Sequence, residues 1–345
     1  MSQKNINENI LNTTTDYETL KKLGITCLEK NKYNKAIKYL KKALEINPNS
    51  HICWNEMGIS YYKKGELERS IECFKKALEI NPDLHEVWFN LGISYDEKEE
   101  YDKAIESFYK SIQIKPDKFQ AWYNMGISYY KDKKYDLAID CFKKALDIEP
   151  SDYNIWFNMG VCYNNKQDYE KEIECFEKVV QLQPDNLQAW YNMAISHHEK
   201  GKYVRSIECF KKVLDINPDL PEAWYNIGNF YFKKQDYNNT IECLEKAIEL
   251  DPSLYQAWYI MGISYHKKGE YDRSIDCYYK VLEINPDYKQ VIYNMACVYS
   301  LKKEREKALF FLEKAFEFNE NLDKDNPDLD YIRNEEKFKK IIERF

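Results

Sequence analysis

The chain has 345 residues, 44% of them hydrophobic, and a formal net charge of −7. That apolar share is enough for a continuous core. The acidic balance argues against nucleic acid as a partner, because neutralising phosphates requires a basic face. No apolar run approaches the roughly 20 residues a membrane-spanning helix needs, and Met1 to Asp16 has no apolar stretch of signal-peptide length. The expectation is a cytoplasmic protein with no membrane partner.

In chain order, residues 1–16 read as a polar tail. Thr15 with Glu18 offers a capping box that starts a first helix near Tyr17. From residue 17 to 322 a 34-residue period takes over. Trp54, Trp88, Trp122, Trp156, Trp190, Trp224 and Trp258 keep that step, as do Pro48, Pro82, Pro116, Pro150, Pro184, Pro218, Pro252 and Pro286. A period of this length means stacked repeats, each one supersecondary unit. Nine units fit. The first has Leu20 and the ninth Ile292 in the Trp place, and the ninth has Glu320 in the Pro place, as expected of ends that lack one neighbour.

The fourth unit serves as the type. Trp122, Met125, Gly126 and Tyr129 fall on one helical face, and Ala138, Ile139, Phe142, Ala145, Leu146 and Ile148 on another. Asp140, Lys143, Lys144 and Asp147 fall opposite, as a solvated outer face. Gly126 and Ala138 are small where two helices approach. Asp117 with Gln120 reads as an N-cap pair, and Pro150 ends the second helix's run. The turn between the helices holds Gly65, Gly201 or Gly269 in some units and Glu, Lys, Gln or Asn in others. Two antiparallel helices per unit follow. Cys73, Cys141, Cys175, Cys209, Cys243 and Cys277 occupy one place in six units. Neighbouring helices stand about 8–10 Å apart, too far for disulfides, so these cysteines read as small buried residues.

These units resemble tetratricopeptide repeats, on Trp122, Met125, Gly126, Tyr129, Ala138, Phe142, Ala145 and Pro150 in type and spacing. The resemblance implies an all-α fold: a right-handed superhelical solenoid of antiparallel helix pairs, with first helices lining a concave groove. Residues 323–345 then resemble a C-terminal capping helix, carrying Tyr331, Ile332, Phe338, Ile341, Ile342 and Phe345. The resemblance also implies a non-enzymatic scaffold or adaptor that binds proteins or peptides.

At about 100° per residue, Asn124 lies opposite its helix's core face, and Asn90, Asn158, Asn192, Asn226 and Asn294 share its place. Such a row resembles the asparagine ladder in the repeats of O-linked N-acetylglucosamine transferases and in importin-type solenoids. It matches a peptide backbone, since a carboxamide both donates and accepts; the other reading is inherited consensus. Beside the row run Phe89, Tyr123, Phe157, Tyr191 and Tyr225, together with Ile93, Ile127 and Ile195. These form either an apolar partner stripe or sideways packing on the next unit. The expected partner is a peptide in this groove. An extended peptide in polyproline II form repeats every third residue, about 9.3 Å, close to the expected spacing of first helices. Glu18, Glu29, Glu56, Glu86, Asp96 and Glu97 crowd the early groove, while Lys233 and Lys267 lie late, which would orient a basic end toward the N-terminal repeats.

Catalytic, cofactor and metal sites are not expected. His51, His85, His197, His198 and His266 lack metal spacing, and no phosphate loop or nucleophile elbow appears. The alternative class is a structural scaffold that forms homo-oligomers through its end repeats.

Overall fold

In the computed structural model, residues 16–318 and 322–344 are described; residues 1–15, with Thr15 of the expected capping box, lie outside them. Helices α1 to α18 form nine antiparallel pairs. They run Tyr17–Glu29, Tyr33–Ile46, His51–Lys63, Leu67–Ile80, His85–Glu97, Tyr101–Ile114, Phe119–Lys131, Tyr135–Ile148, Tyr153–Asn165, Tyr169–Leu182, Leu187–Glu199, Tyr203–Ile216, Pro221–Lys233, Tyr237–Leu250, Tyr255–Lys268, Tyr271–Ile284, Gln290–Leu301 and Arg305–Phe318. A 3-10 turn, Pro327–Leu329, and α19, Glu336–Arg344, follow. The odd-numbered member of each pair is its A helix and the even-numbered its B helix. The chain divides into two compact units, residues 1–184 with the first five repeats and residues 185–345 with the last four and the C-terminal segment.

Every A helix stops in the same way. Asn31, Gly65, Glu99, Lys133, Gln167, Gly201, Gln235, Gly269 and Lys303 all have positive φ, between 56° and 77°. The next residue's N–H returns to a carbonyl five residues back, as in Lys134 N to Tyr129 O at 2.9 Å, and Lys133 N bonds Tyr130 O at 2.9 Å. This is the Schellman arrangement, which satisfies the orphan carbonyls of a helix end. Six of the nine turns use a side-chain-bearing residue where glycine is least strained.

The Trp and Pro series are two halves of one contact. The indole Nε1 of Trp54, Trp88, Trp122, Trp156, Trp224 and Trp258 donates to the carbonyl of the proline six residues earlier, at 2.8–3.2 Å. Proline ends one repeat's B helix, and tryptophan anchors that break to the next A helix. The indoles are therefore half-buried, with the fully enclosed core inside them. In the fourth repeat that core is Ala121, Met125, Ala138, Ile139, Phe142 and Ala145. A Cβ on Gly126 would lie 2.7 Å from Phe142, so the glycine admits the ring.

Four local expectations need correcting. Asp16 caps α1, its carboxylate accepting from Thr19 N at 2.8 Å. The α7 N-cap is Lys118, without a side-chain bond, so Asp117 does not cap. Ile148 is 37% exposed rather than core, because it is the last residue of α8 and has passed the end of its neighbour's face. The C-terminal segment is also not one helix: Tyr331 and Ile332 sit in turns between the 3-10 turn and α19, and Phe345 lies outside the described residues. Leu329, Ile332, Phe338 and Ile341 are nonetheless buried in the core of the last repeats.

All ten cysteines are free thiols, nine of them buried, among them the six at the shared B-helix place. Burial pushes Cys73, Cys141, Cys175 and Cys277 up to about 12.

Candidate interaction surface

In the first unit the A helix of each repeat touches the next A helix, and in the second unit α13, α15 and α17 do the same; neighbouring B helices make no comparable contact among the described residues. The A helices thus present a shared face within each unit. The asparagine row lies there, half-buried. Its amides are already engaged. In the first unit Asn90 Nδ2 donates to Asn55 Oδ1 at 3.4 Å, Asn124 Nδ2 to Gln120 O at 2.7 Å, and Asn158 Nδ2 to Tyr123 OH and Asn154 O, both at 2.9 Å. In the second unit Asn226 Nδ2 donates to Glu222 O at 2.8 Å and Asn294 Nδ2 to Tyr259 OH at 3.3 Å, while Asn192 Oδ1 accepts from Gln188 at 3.0 Å.

The asparagines and tyrosines therefore form cross-repeat bridges. Tyr123 with Asn158 and Tyr259 with Asn294 join a residue one place after the Trp position to one two places after it in the next repeat, 35 residues on. Asn226 similarly lowers the Tyr191 hydroxyl against the upward push of burial. Where the partner is Phe89, no bridge to Asn124 forms, and Asn124 bonds its own helix. Asn55 stands in the aromatic column and takes the tyrosine's part in bridging to Asn90, although sequence reading passed over it; the signal was an asparagine directly after Trp54 in a place otherwise aromatic among the Trp repeats.

The aromatic residues stand on the core rather than freely in solvent. Phe89 meets Phe108 at 5.7 Å between ring centres, Tyr123 meets Phe142 at 5.9 Å, Phe157 meets Phe176 at 5.3 Å and Tyr191 meets Phe210 at 5.6 Å. Tyr225 is half-buried against the core around Leu244. Ile93 and Ile127 pack on the cores of their units, and Ile93, Ile127 and Ile195 are all half-buried. Lys118 lies 4.1 Å over the Phe89 ring, and burial lowers its ammonium from the usual value.

Charge is concentrated early in the first unit. Glu56 is pushed above the usual carboxylate range, first by burial and then by Glu86 and Glu29 nearby, against a bond from Asn55 that lowers it. At the other end of the chain, residues 322–333 cover the A-helix face of the last repeats. Tyr293 OH donates to Asp323 O at 2.7 Å, and His266 Nε2 meets Asp328 Oδ2 at 3.2 Å. Arg333 gathers the carbonyls of Lys324, Asp325 and Asn326 at 3.0–3.3 Å. Asn294 shares a cavity of about 470 Å³ with Leu322 and Asp323, so its stretch of the face is partly covered by the chain itself.

Among the described residues no helix is long and apolar enough to cross a membrane, and no three His, Cys, Asp or Glu side chains group as metal ligands.

Paired helices in repeated units with a shared A-helix face define a helical-repeat solenoid, an interaction scaffold in class. The tetratricopeptide repeat model matches residues 17–50, 85–118, 119–152, 221–254 and 255–288, and related models of the same repeat match 58–98, 153–186, 175–208, 196–235 and 290–322. The chain belongs to the tetratricopeptide repeat family. No curated protein sequence matches it. Among solved structures it is similar to the C-terminal part of a TPR repeat-containing protein from Cytophaga hutchinsonii, at 18% identity and TM-score 0.63, covering 69% of this chain and 97% of that one. It is also similar to YrrB, described as a TPR protein with an unusual peptide-binding site (25% identity, TM-score 0.48, covering 53% and 95%). A third similar structure is MamA from Desulfovibrio magneticus (22%, 0.48, 50% and 98%).

Proposed function

We propose that the chain is a non-enzymatic scaffold that holds an extended segment of a partner protein along a concave A-helix groove, chiefly that of the first unit. The observation that carries this reading is the repeated half-buried polar place of Asn90, Asn124 and Asn158, flanked by Phe89, Tyr123, Phe157, Ile93 and Ile127. Because the Nδ2 groups of these asparagines are engaged within the protein, their Oδ1 atoms serve as acceptors for a ligand's backbone N–H groups. The basic end of the ligand sits near Glu29, Glu56 and Glu86, where a cation relieves their mutual repulsion. Asn192 and Asn226 extend the same chemistry in the second unit, and Asn294 contributes least because the C-terminal segment shares its cavity.

Affinity capture from native lysate supplies a partner segment, and fluorescence anisotropy then compares the parent chain with Asn90, Asn124 and Asn158 all changed to Ala. At about 0.5–1.5 kcal/mol per hydrogen-bonding site, binding should weaken by roughly 1.5–4.5 kcal/mol. Unchanged affinity would reduce the row to a set of inter-helix braces and remove the proposal.

A further inference from the structure

A basic residue of the B helix covers a tyrosine of the A helix in five repeats. The charged groups of Arg69, Lys103, Lys171, Arg273 and Lys307 lie 5.1–5.6 Å from the ring centres of Tyr61, Tyr95, Tyr163, Tyr265 and Tyr299. Attraction of the cation to the ring face, with the aliphatic stem packed beside it, accounts for the recurrence. The seventh repeat breaks the pattern with Asn239, and the fourth breaks it with an apolar residue. Leu137, 46% exposed, occupies the basic place and supplies no cation to Tyr129. On the preceding B helix Tyr109, 49% exposed, stands where the first, second, fourth and sixth repeats have Lys41, Lys75, Lys143 and Lys211.

The two departures meet. Tyr109 and Leu137 form the walls, and Trp122, Met125 and Tyr129 the floor, of a cleft of about 860 Å³ between the B helices of the third and fourth repeats. The corresponding cleft between the first and second repeats has Lys41 and Arg69 in those places and measures about 520 Å³. With Tyr and Leu in place of two cations, the larger cleft has apolar walls there and a ring face without a cation from the B helix. Its rim stays acidic, with Asp102, Glu106, Asp140 and Asp147 against Lys143 and Lys144. Both lysines are met by rim carboxylates, Lys143 at 3.9 Å from Asp140 and Lys144 at 3.8 Å from Asp147, and Asp102 is met by Lys134 at 3.4 Å.

We propose that this cleft is a docking site, separate from the A-helix groove, for a protein segment that places a Lys or Arg beside an apolar residue. The partner's cation sits over Tyr129, in the place that five other repeats fill from their own B helix. Its apolar neighbour packs on Tyr109 and Leu137. Carboxylates outnumber lysines four to two along the rim, which favours this occupant over an acidic segment.

The test uses the full chain with ¹⁵N-labelled tryptophan indoles, read at Trp122 on the floor of the cleft, and the tripeptide acetyl-Leu-Arg-Leu-amide as probe. The Trp122 signal should shift saturably with this peptide and not with acetyl-Leu-Glu-Leu-amide. Leu137→Arg, which restores the residue type of the five repeats with a covered tyrosine, should weaken the titration at least tenfold without lowering the melting temperature. Val204→Arg adds the same charge at an exposed position of the second unit and should leave the titration unchanged. No saturable shift at Trp122, equal response to the Glu peptide, an undiminished titration in Leu137→Arg, or an equal loss in Val204→Arg would each overturn the proposal.

Discussion

Glu172 stands in α10 where the other repeats have Ala, Ser or Thr, and it is fully buried, with Oε1 accepting from Asn164 Nδ2 at 3.0 Å. The helix pair around it is wider than its neighbours. A Cβ placed on Gly160 would lie 3.1 Å from Phe176, against 2.7 Å for Gly126 and Phe142 and 2.6 Å for Gly92 and Phe108. Replacing Glu172 with Ala removes a buried carboxyl group, whose desolvation when ionised costs several kcal/mol, and with it the bond from Asn164, which returns about 1.5–3 kcal/mol. It also gives up one buried methylene, about 0.8 kcal/mol. The void closes cheaply, because the third and fourth repeats already hold the tighter spacing over Ala104 and Ala138. The net expectation is a gain of about 1–2 kcal/mol. Urea unfolding with hydrogen exchange should show this gain, with added protection confined to the fifth repeat and its neighbours, since such units contact only what adjoins them. Asn164→Ala should destabilise the parent chain and be nearly neutral in the Glu172→Ala background. A lower melting temperature for Glu172→Ala, or a protection change spread evenly over all repeats, would refute the reasoning.

Lys133 holds a left-handed turn at φ 60°; Lys133→Gly relieves about 1–2 kcal/mol of strain and returns about 0.5–1 to the unfolded chain, so urea unfolding should show a gain of about 0.5–1 kcal/mol. Trp156→Phe keeps the ring but loses the N–H that reaches Pro150 O at 3.2 Å, and calorimetry should register a loss of about 1 kcal/mol. His197 replaces a tyrosine common to that place and is held below its ordinary pKa, first by burial and then by Lys202, Arg205 and Lys200, with Glu208 opposing. The folded chain therefore binds fewer protons there than the unfolded chain does. The stability this contributes is present above about pH 6.5 and is lost as the pH falls toward the folded value. Melting temperatures taken from pH 7 to 5.5 should fall less for His197→Tyr than for the parent, with His85 and His266, also lowered, leaving a residual slope.

Nine helix pairs, their turns and their core were legible in the sequence because each repeat is built by local rules. Apolar residues at helical spacing, Gly126 opposite Phe142, and proline at the break all act within one 34-residue unit and its neighbour, so a pattern repeated nine times overrides any single ambiguous residue. What the tertiary structure alone decided is where side chains meet across repeats. The bond from Trp122 to the Pro116 carbonyl, the bridge from Tyr123 to Asn158 and the seating of His266 against Asp328 join residues 6, 35 and 62 positions apart, and no periodicity states which pairs are in reach. The asparagine row shows the difference most clearly. Its place opposite the core face followed from helix geometry, but the commitment of its amides to neighbouring hydroxyls and carbonyls depends on rotamers set by the packing of two helices. Leu137 breaks a largely basic column, a signal that sequence reading passed over. That it lines a cleft over Tyr129 required the positions of two B helices and the ring between them, because volume is a property of the space side chains leave and not of their order along the chain.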